Sequence, residues 1–166
     1  MKVHLGNYRK NRKVKVEIDS WDTWSLDTTL AEIIHPALIK FKEERQKMPG
    51  VPSCFFHDDD PVDENGNHNH EALELASKRY DDFLDDCIWA FGEIKDDRPG
   101  EKQFHVTKPE YAHLSEDELL DINFKKKKNN KWISTSDFDR EGFNNYHKRL
   151  QSVLTRFGEN FQTLWW

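Results

Sequence analysis

Residues 69–95 of the chain read NHEALELASKRYDDFLDDCIWAFGEIK. Apolar side chains recur in this stretch at spacings of three and four residues, the period that places them on one face of an α-helix. That apolar stripe comprises Leu73, Ala76, Tyr80, Phe83, Leu84, Cys87, Ile88 and Phe91. Proline and glycine interrupt helices, so residues 98–100 (Arg-Pro-Gly) close the segment. The stretch therefore predicts a long amphipathic helix whose large rings face a core.

Two further stretches show the same helical period. Residues 26–48 contain Pro36, which predicts a kink, and Ser25 or Asp27 is a candidate N-cap. The apolar stripe of this stretch comprises Leu30, Ile33, Ile34, Ala37, Leu38 and Phe41. In residues 139–165 the stripe comprises Phe143, Tyr146, Leu150, Val153, Leu154, Phe157, Phe161, Leu164 and Trp165. Three long helices are therefore expected.

Short strand patterns precede the first helix. Residues 13–18 alternate between polar and apolar side chains, which is the period of a β-strand. Val3, Leu5 and Tyr8 predict an earlier strand, so N-terminal strands are expected within residues 1–20.

The connection at residues 96–138 is mixed in character. Residues 103–107 and 131–134 favour short strands. Ser115 and Glu118 fit a capping box, in which the two residues satisfy each other's end groups at the start of a helix. We expect a mainly α fold of three long helices in a bundle with a few short β-strands at one end, in a single domain spanning residues 1–166.

Composition limits the classes of function. The 166 residues carry a net charge of −6, which disfavours a DNA partner, and their 13% aromatic content argues for a folded chain. No apolar run reaches the length that spans a bilayer, so we expect no membrane association. Two cysteines cannot form a disulfide scaffold.

The sequence contains few catalytic motifs. His105-Val106-Thr107 and His113-Leu114-Ser115 both fit the H-x-[TS] motif of two-histidine phosphodiesterases, but they are eight residues apart with Pro109 between them, and coincidence is the better explanation. There is no G-x-S-x-G elbow, no phosphate loop and no dinucleotide fingerprint, so neither an enzyme nor a cofactor is expected. One alternative is a metal-dependent hydrolase, because Cys54, His57, His68 and His70 fall within one loop and are ligand types that zinc accepts. Their order does not follow a standard zinc finger, and we expect no metal.

Aromatic and basic residues form the most suggestive constellation. Aromatic faces stack nucleobases, and arginine presents a planar fork to phosphate. The candidate ligand-binding residues are Trp21, Trp24, Arg79, Tyr80, Arg149 and Arg156. Each also has a structural explanation, because the tryptophans can plug the end of a bundle and the arginines can pair with the acidic helix at residues 69–95.

Three segments together resemble a widespread family of tailed-phage proteins. They are VEIDSWDTWSLDTTLA at 16–31, KRYDDFLDDCIWAF at 78–91, and a tail with YHKRL at 146–150, RFG at 156–158 and LW at 164–165. The resemblance covers roughly half of the chain. Small phage proteins of this type are associated with the anti-CBASS sponges, which bind the cyclic dinucleotide signal of a bacterial immune system and leave it intact.

The resemblance implies a protein of the host cytoplasm that sequesters a cyclic dinucleotide such as 3′3′-cGAMP. It also implies a homo-oligomer, a dimer or tetramer, because a ligand with approximate two-fold symmetry suits a site shared by two subunits. The alternative from a different class is a phage interaction protein or minor structural protein with no nucleotide ligand. The acidic helix at residues 69–95 favours that alternative, since it can dock a basic partner.

Overall fold

The computed structural model describes residues 1–6, 12–47, 50–124 and 134–164 of the chain. Within these ranges 63% of the residues are helical, which confirms the mainly α fold of three long helices with small antiparallel sheets. No helix in these ranges combines the length and the hydropathy that crossing a membrane requires.

The chain divides into two compact units. The first unit comprises Met1–Arg98 together with Ser152–Trp166, and the second comprises Pro99–Gln151. The expectation of a single domain stays a prediction.

Helices α1 (Leu26–Arg45) and α2 (His70–Lys95) form an antiparallel pair in the first unit. Asp27, near the start of α1, pairs with Arg98 just beyond the end of α2 at 2.8 Å. At the other end, Arg45 pairs with Asp81. Asn69 caps α2 as its side-chain oxygen accepts the backbone N–H of Ala72 at 3.1 Å, whereas Ser25 at the start of α1 makes no such bond. Helix α1 ends at Arg45, before the predicted boundary near residue 48.

The buried face of α2 forms most of the core. The predicted stripe is largely confirmed, with Tyr80, Phe83, Leu84 and Cys87 fully buried. Leu73 departs from the prediction, because 40% of it is exposed. Arg45, the last residue of α1, donates to Ser77 of α2, and Leu73 lies one turn before Ser77. Helix α1 therefore does not extend far enough to cover Leu73. Small side chains that the stripe omitted are also buried, namely Ala72 and Ala90.

The last long helix, α4 (Arg140–Glu159), begins in the second unit, and its residues from Ser152 onward belong to the first. Phe157 packs edge-on against Phe91 with ring centroids 4.8 Å apart. The helix ends earlier than the predicted boundary near residue 165. Asn160 donates from both its side-chain amide and its backbone to the carbonyl of Arg156, and a 3-10 turn follows at Phe161–Thr163.

An N-terminal hairpin precedes α1. Strands β1 (Lys2–Leu5) and β2 (Val14–Glu17) pair antiparallel, with Val3 opposite Val16. This confirms the predicted strand at residues 13–18 and the earlier one near Val3, while Tyr8 lies outside the described residues. All four residues of β2 are exposed.

The second unit contains the other small sheet. Strand β3 (His105–Thr107) pairs antiparallel with β4 (Ser136–Phe138), and the short helix α3 (Glu116–Phe124) lies between them in sequence. The capping box is confirmed: Ser115 donates its backbone N–H to the Glu118 carboxylate at 2.8 Å, and the Glu118 N–H lies 3.4 Å from the Ser115 hydroxyl. The strand predicted at 131–134 falls almost entirely outside the described residues.

Candidate functional site

Arg79 is held in place by a buried carboxylate. The Asp60 side chain is 2% exposed and accepts two hydrogen bonds from the Arg79 guanidinium, both at 2.7 Å. The same guanidinium donates to the carbonyl of Phe55 at 3.1 Å, and the backbone N–H of His57 donates to Asp60 at 2.8 Å. The Arg79 guanidinium, with help from that N–H, holds the pKa of Asp60 well below its usual range. Arg79 therefore has a fixed orientation, with 29% of its side chain exposed.

Tyr80 is a core residue in the structure. It is fully buried, its hydroxyl donates to the carbonyl of Thr163 at 2.9 Å, and the Arg45 guanidinium lies 4.4 Å from its ring centroid. Its ring also packs against that of Phe55, with centroids 4.6 Å apart. Burial raises the pKa of Tyr80 to about 12. Tyr80 thus ties the middle of α2 to the turn that follows α4.

Arg156 approaches the same core from α4. Its guanidinium lies 3.2 Å from the Asp86 carboxylate and 5.5 Å from the ring centroid of Phe83. The side chain is 45% exposed. Arg156 is therefore more open to solvent than Arg79, and its partner Asp86 is also partly exposed, so this ion pair at the surface is weak.

Arg79 and Arg156 line one recess of about 400 Å³ in the first unit. The other lining residues are Cys54, Phe55, His57, Glu159 and Asn160. The recess therefore combines two guanidinium groups with an imidazole and an amide, all of which donate hydrogen bonds to anions, and Glu159 adds one acceptor. We call it the arginine recess.

The tryptophans form a separate exposed platform. Trp21 and Trp24 are 71% and 80% exposed, and their ring centroids lie 5.0 Å apart. They project from a short 3-10 helix (Ser20–Thr23) that Asp19 caps, its carboxylate accepting the backbone N–H of Trp21 at 3.0 Å. The N-terminal ammonium of Met1 pairs with Asp22 at 2.6 Å, and with the Asp19 backbone N–H it lowers the pKa of Asp22.

The structure divides the predicted constellation. Arg79 donates to the Phe55 carbonyl, the Tyr80 ring packs against the rings of Phe55 and Phe83, and Arg156 lies over the Phe83 ring. The tryptophan platform comes directly before α1 in the chain. The start of α1 lies beside the C-terminal end of α2, where Asp27 pairs with Arg98. At a rise of about 1.5 Å per residue, that end of α2 is roughly 25 Å from Arg79 along the helix. The lining of the arginine recess belongs to the first unit, whereas Arg149 is an exposed residue of the second unit.

The zinc alternative concerns the loop that contains Cys54, His57, His68 and His70. Among residues 1–6, 12–47, 50–124 and 134–164, no three histidine, cysteine or acidic side chains are grouped in a way that would hold a metal ion. Cys54 lies 3.5 Å from the Asn160 side-chain oxygen, and the ring of His68 stacks on Phe56 at 4.6 Å.

Sequence reasoning missed Asp60, Glu159 and Asn160. Asp60 belongs to the run His57-Asp58-Asp59-Asp60, which is typical of a solvated loop. It is distinguished from its exposed neighbours Asp58 and Asp59 by its burial and by its hydrogen bonds to Arg79 and to the His57 backbone N–H, which the run itself does not reveal. Glu159 and Asn160 fell within the predicted continuous helix. Their part in the recess depends on the ending of α4.

Comparison with known proteins assigns no family to the chain. No family model matches it, and no curated protein or solved structure matches it significantly. The resemblance of three segments to tailed-phage proteins stays a prediction, and the arginine recess is the feature on which a functional proposal can stand.

Proposed function

We propose that the protein is a phage immune-evasion protein that binds and sequesters a cyclic dinucleotide signal such as 3′3′-cGAMP without cleaving it. In the host cytoplasm this sequestration inhibits CBASS defence. The observation that carries the proposal is the presence of Arg79 and Arg156 in one recess of about 400 Å³. That volume falls within the range of about 300–1,000 Å³ that small-molecule sites occupy.

The two guanidinium groups of the recess are the proposed contacts of the ligand's two phosphates. The Arg156 guanidinium can present its planar fork to a phosphate, whereas Arg79, which already donates to Asp60 and to the Phe55 carbonyl, can offer a phosphate only the N–H groups that those bonds leave over. Such charge-assisted hydrogen bonds are stronger than neutral ones. Asp60 fixes the orientation of Arg79 before any ligand arrives, so less conformational entropy is lost on binding. The opposing charges of Asp60 and Asp86 keep the unliganded arginines from repelling each other.

The remaining lining residues suit the bases. Glu159 accepts hydrogen bonds, which the exocyclic amino groups of guanine and adenine donate, and the Asn160 amide both donates and accepts. The tryptophan platform is too distant within one chain to stack on a base held in the same recess. In the proposed homo-oligomer, a dimer or tetramer, Trp21 and Trp24 of a second copy take that role.

Recovery of the nucleotide tests the proposal. Purified protein is mixed with 3′3′-cGAMP, the free nucleotide is removed by ultrafiltration, and the retained fraction is heated and chromatographed. Intact 3′3′-cGAMP in stoichiometric amount is expected. A hydrolysed product, or no retained nucleotide, contradicts the proposal. Linear dinucleotide of the same composition serves as the matched ligand control.

A protein–protein interaction function, or a minor structural role with no nucleotide ligand, is the second candidate. An apolar groove of about 230 Å³ lies in the first unit between α1 and the end of the chain. Its lining residues are Ile33, Ile34, Ala37, Leu38, Phe41, Phe157, Phe161 and Leu164. This candidate predicts that a panel of cyclic and linear nucleotides leaves the melting temperature unchanged, whereas a ligand specific to the folded state raises it.

A further inference from the structure

The N-terminal hairpin leaves one edge of β2 open. Within the described residues, β2 pairs with β1 alone, and the resulting sheet has two strands. The apolar side chains of the hairpin face solvent, with Val14, Val16 and Ile18 exposed by 58%, 49% and 60%. An isolated two-stranded sheet is marginally stable in water, and an open edge is a template for a further strand.

The hydrogen-bond pattern identifies which residues serve the open edge. Gly6 donates its backbone N–H to the Lys13 carbonyl at 3.0 Å, so Lys13 directs its backbone groups toward the first strand. In an antiparallel ladder successive residues alternate in this respect. The backbone N–H and C=O groups of Lys15 and Glu17 therefore also point toward β1, while those of Val14 and Val16 point to the open edge.

The side chains of β2 are self-complementary about Val16. If two β2 strands pair antiparallel with Val16 opposite Val16 of the second copy, then Lys15 lies opposite Glu17 of that copy, and the reverse. Val14 lies opposite Ile18 in the same way. Opposite residues in such a pair share a face, so all apolar side chains meet on one face and all charged ones on the other.

We propose that two copies of the chain associate through β2, joining their hairpins into one four-stranded antiparallel sheet centred on Val16. The interface is isologous, so both symmetric Lys15–Glu17 pairs form together. It supplies a partner surface for the proposed homo-oligomer and requires no ligand.

Charge selects this register over its neighbours. Centring the pair on Lys15 places two lysines directly opposite each other, and centring it on Glu17 does the same with two glutamates. Like charges directly opposite destabilise a strand pair. The register centred on Val16 also places the outward backbone groups of Val14 and Val16 opposite matching groups of the second copy.

A charge-swap experiment tests the pairing. Lys15→Glu and Glu17→Lys are prepared separately, and association is measured by sedimentation velocity over a concentration series without nucleotide. Wild type is expected to dimerise. Each variant alone places like charges opposite each other and is expected to raise the dissociation constant roughly tenfold or more. An equimolar mixture restores opposite charges across the interface and is expected to recover dimer.

Recovery on mixing cannot come from the ion pair that Lys15 and Glu17 form within one strand, because neither variant regains that pair. The matched control is Lys40→Glu, an exposed α1 lysine that pairs only within its own helix in the described contacts, and its dimerisation should equal that of wild type. Circular dichroism checks that each variant folds. A monomeric wild type, unaffected single variants, or no dimer on mixing overturns the proposal. Because no nucleotide is present, these results are separate from the success or failure of ligand binding.

Discussion

Arg156 gives the clearest test of the arginine recess, because it lines the recess and contributes little to the fold. Its guanidinium lies 3.2 Å from the Asp86 carboxylate, and the side chains of Arg156 and Asp86 are 45% and 32% exposed. We predict that Arg156→Gln weakens binding of 3′3′-cGAMP while the protein remains folded. Arg79→Ala is a poorer test, since it leaves the buried Asp60 carboxylate without its main partner.

The expected sizes of the two effects differ. A hydrogen bond to a charged group contributes about 1.5–3 kcal/mol, so its loss raises the dissociation constant roughly 10- to 150-fold. The exposed ion pair contributes about 0–1 kcal/mol to folding, and the guanidinium over the Phe83 ring adds about 0.5–1 kcal/mol. For a chain of this length the melting temperature should fall by only a few degrees.

Titration calorimetry measures the affinity, and a thermal melt of each protein measures stability. Arg149→Ala is the matched control, because Arg149 belongs to the second unit and is not among the lining residues of the recess. Unchanged affinity in Arg156→Gln refutes the recess as the binding site. If Arg149→Ala lowers the affinity for 3′3′-cGAMP as much as Arg156→Gln does, the result would instead favour the larger site expected from the sequence, which includes Arg149.

Three further predictions concern stability. Tyr80→Phe removes the hydrogen bond to the Thr163 carbonyl and should lower the free energy of unfolding by about 1 kcal/mol in urea denaturation; no change would show that the bond is not formed. Phe83→Ala, at a fully buried position, should cost about 3–5 kcal/mol, and a cost under about 1 kcal/mol would contradict the described core. Because Arg79 holds the pKa of Asp60 below its ordinary value of 3.8, the stability from this pair is present above that value and is lost as the pH falls below it. When urea unfolding is measured at about pH 5 and about pH 3, the free energy of unfolding should therefore fall less for Asp60→Asn than for wild type. Equal decreases in the two proteins would speak against the pairing.

Local patterns in the sequence were sufficient to predict the long helices and the two N-terminal strands, although not the pairing of those strands into a hairpin. The period of α2 and the alternation in β2 are properties of consecutive residues, and the Ser115–Glu118 capping box requires only four. Helix ends were predicted less well. The end of α4 at Glu159 depends on the hydrogen bonds of Asn160, which a hydrophobic stripe does not reveal.

The candidate site could be predicted only in part, because it is built from distant residues. Arg79 and Arg156 were identified by residue type, yet their meeting depends on the packing of α4 against α2. Tyr80 has the same chemistry as an exposed stacking residue, but its position on the buried face of α2 makes it part of the core. Trp21 and Trp24 are adjacent, as their spacing in sequence suggests, but the antiparallel helices separate them from Arg79.

Protection of Cys54 from a thiol reagent tests the central claim most directly. Cys54 is exposed and lines the arginine recess, whereas Cys87 is buried and burial raises its pKa to about 12, so a reagent such as iodoacetamide should modify Cys54 first. The measurement is the rate of Cys54 alkylation with and without saturating 3′3′-cGAMP, followed by mass spectrometry. Binding in the recess predicts a markedly slower rate with the nucleotide. An equal rate in its presence would contradict the placement of the ligand beside Arg79 and Arg156.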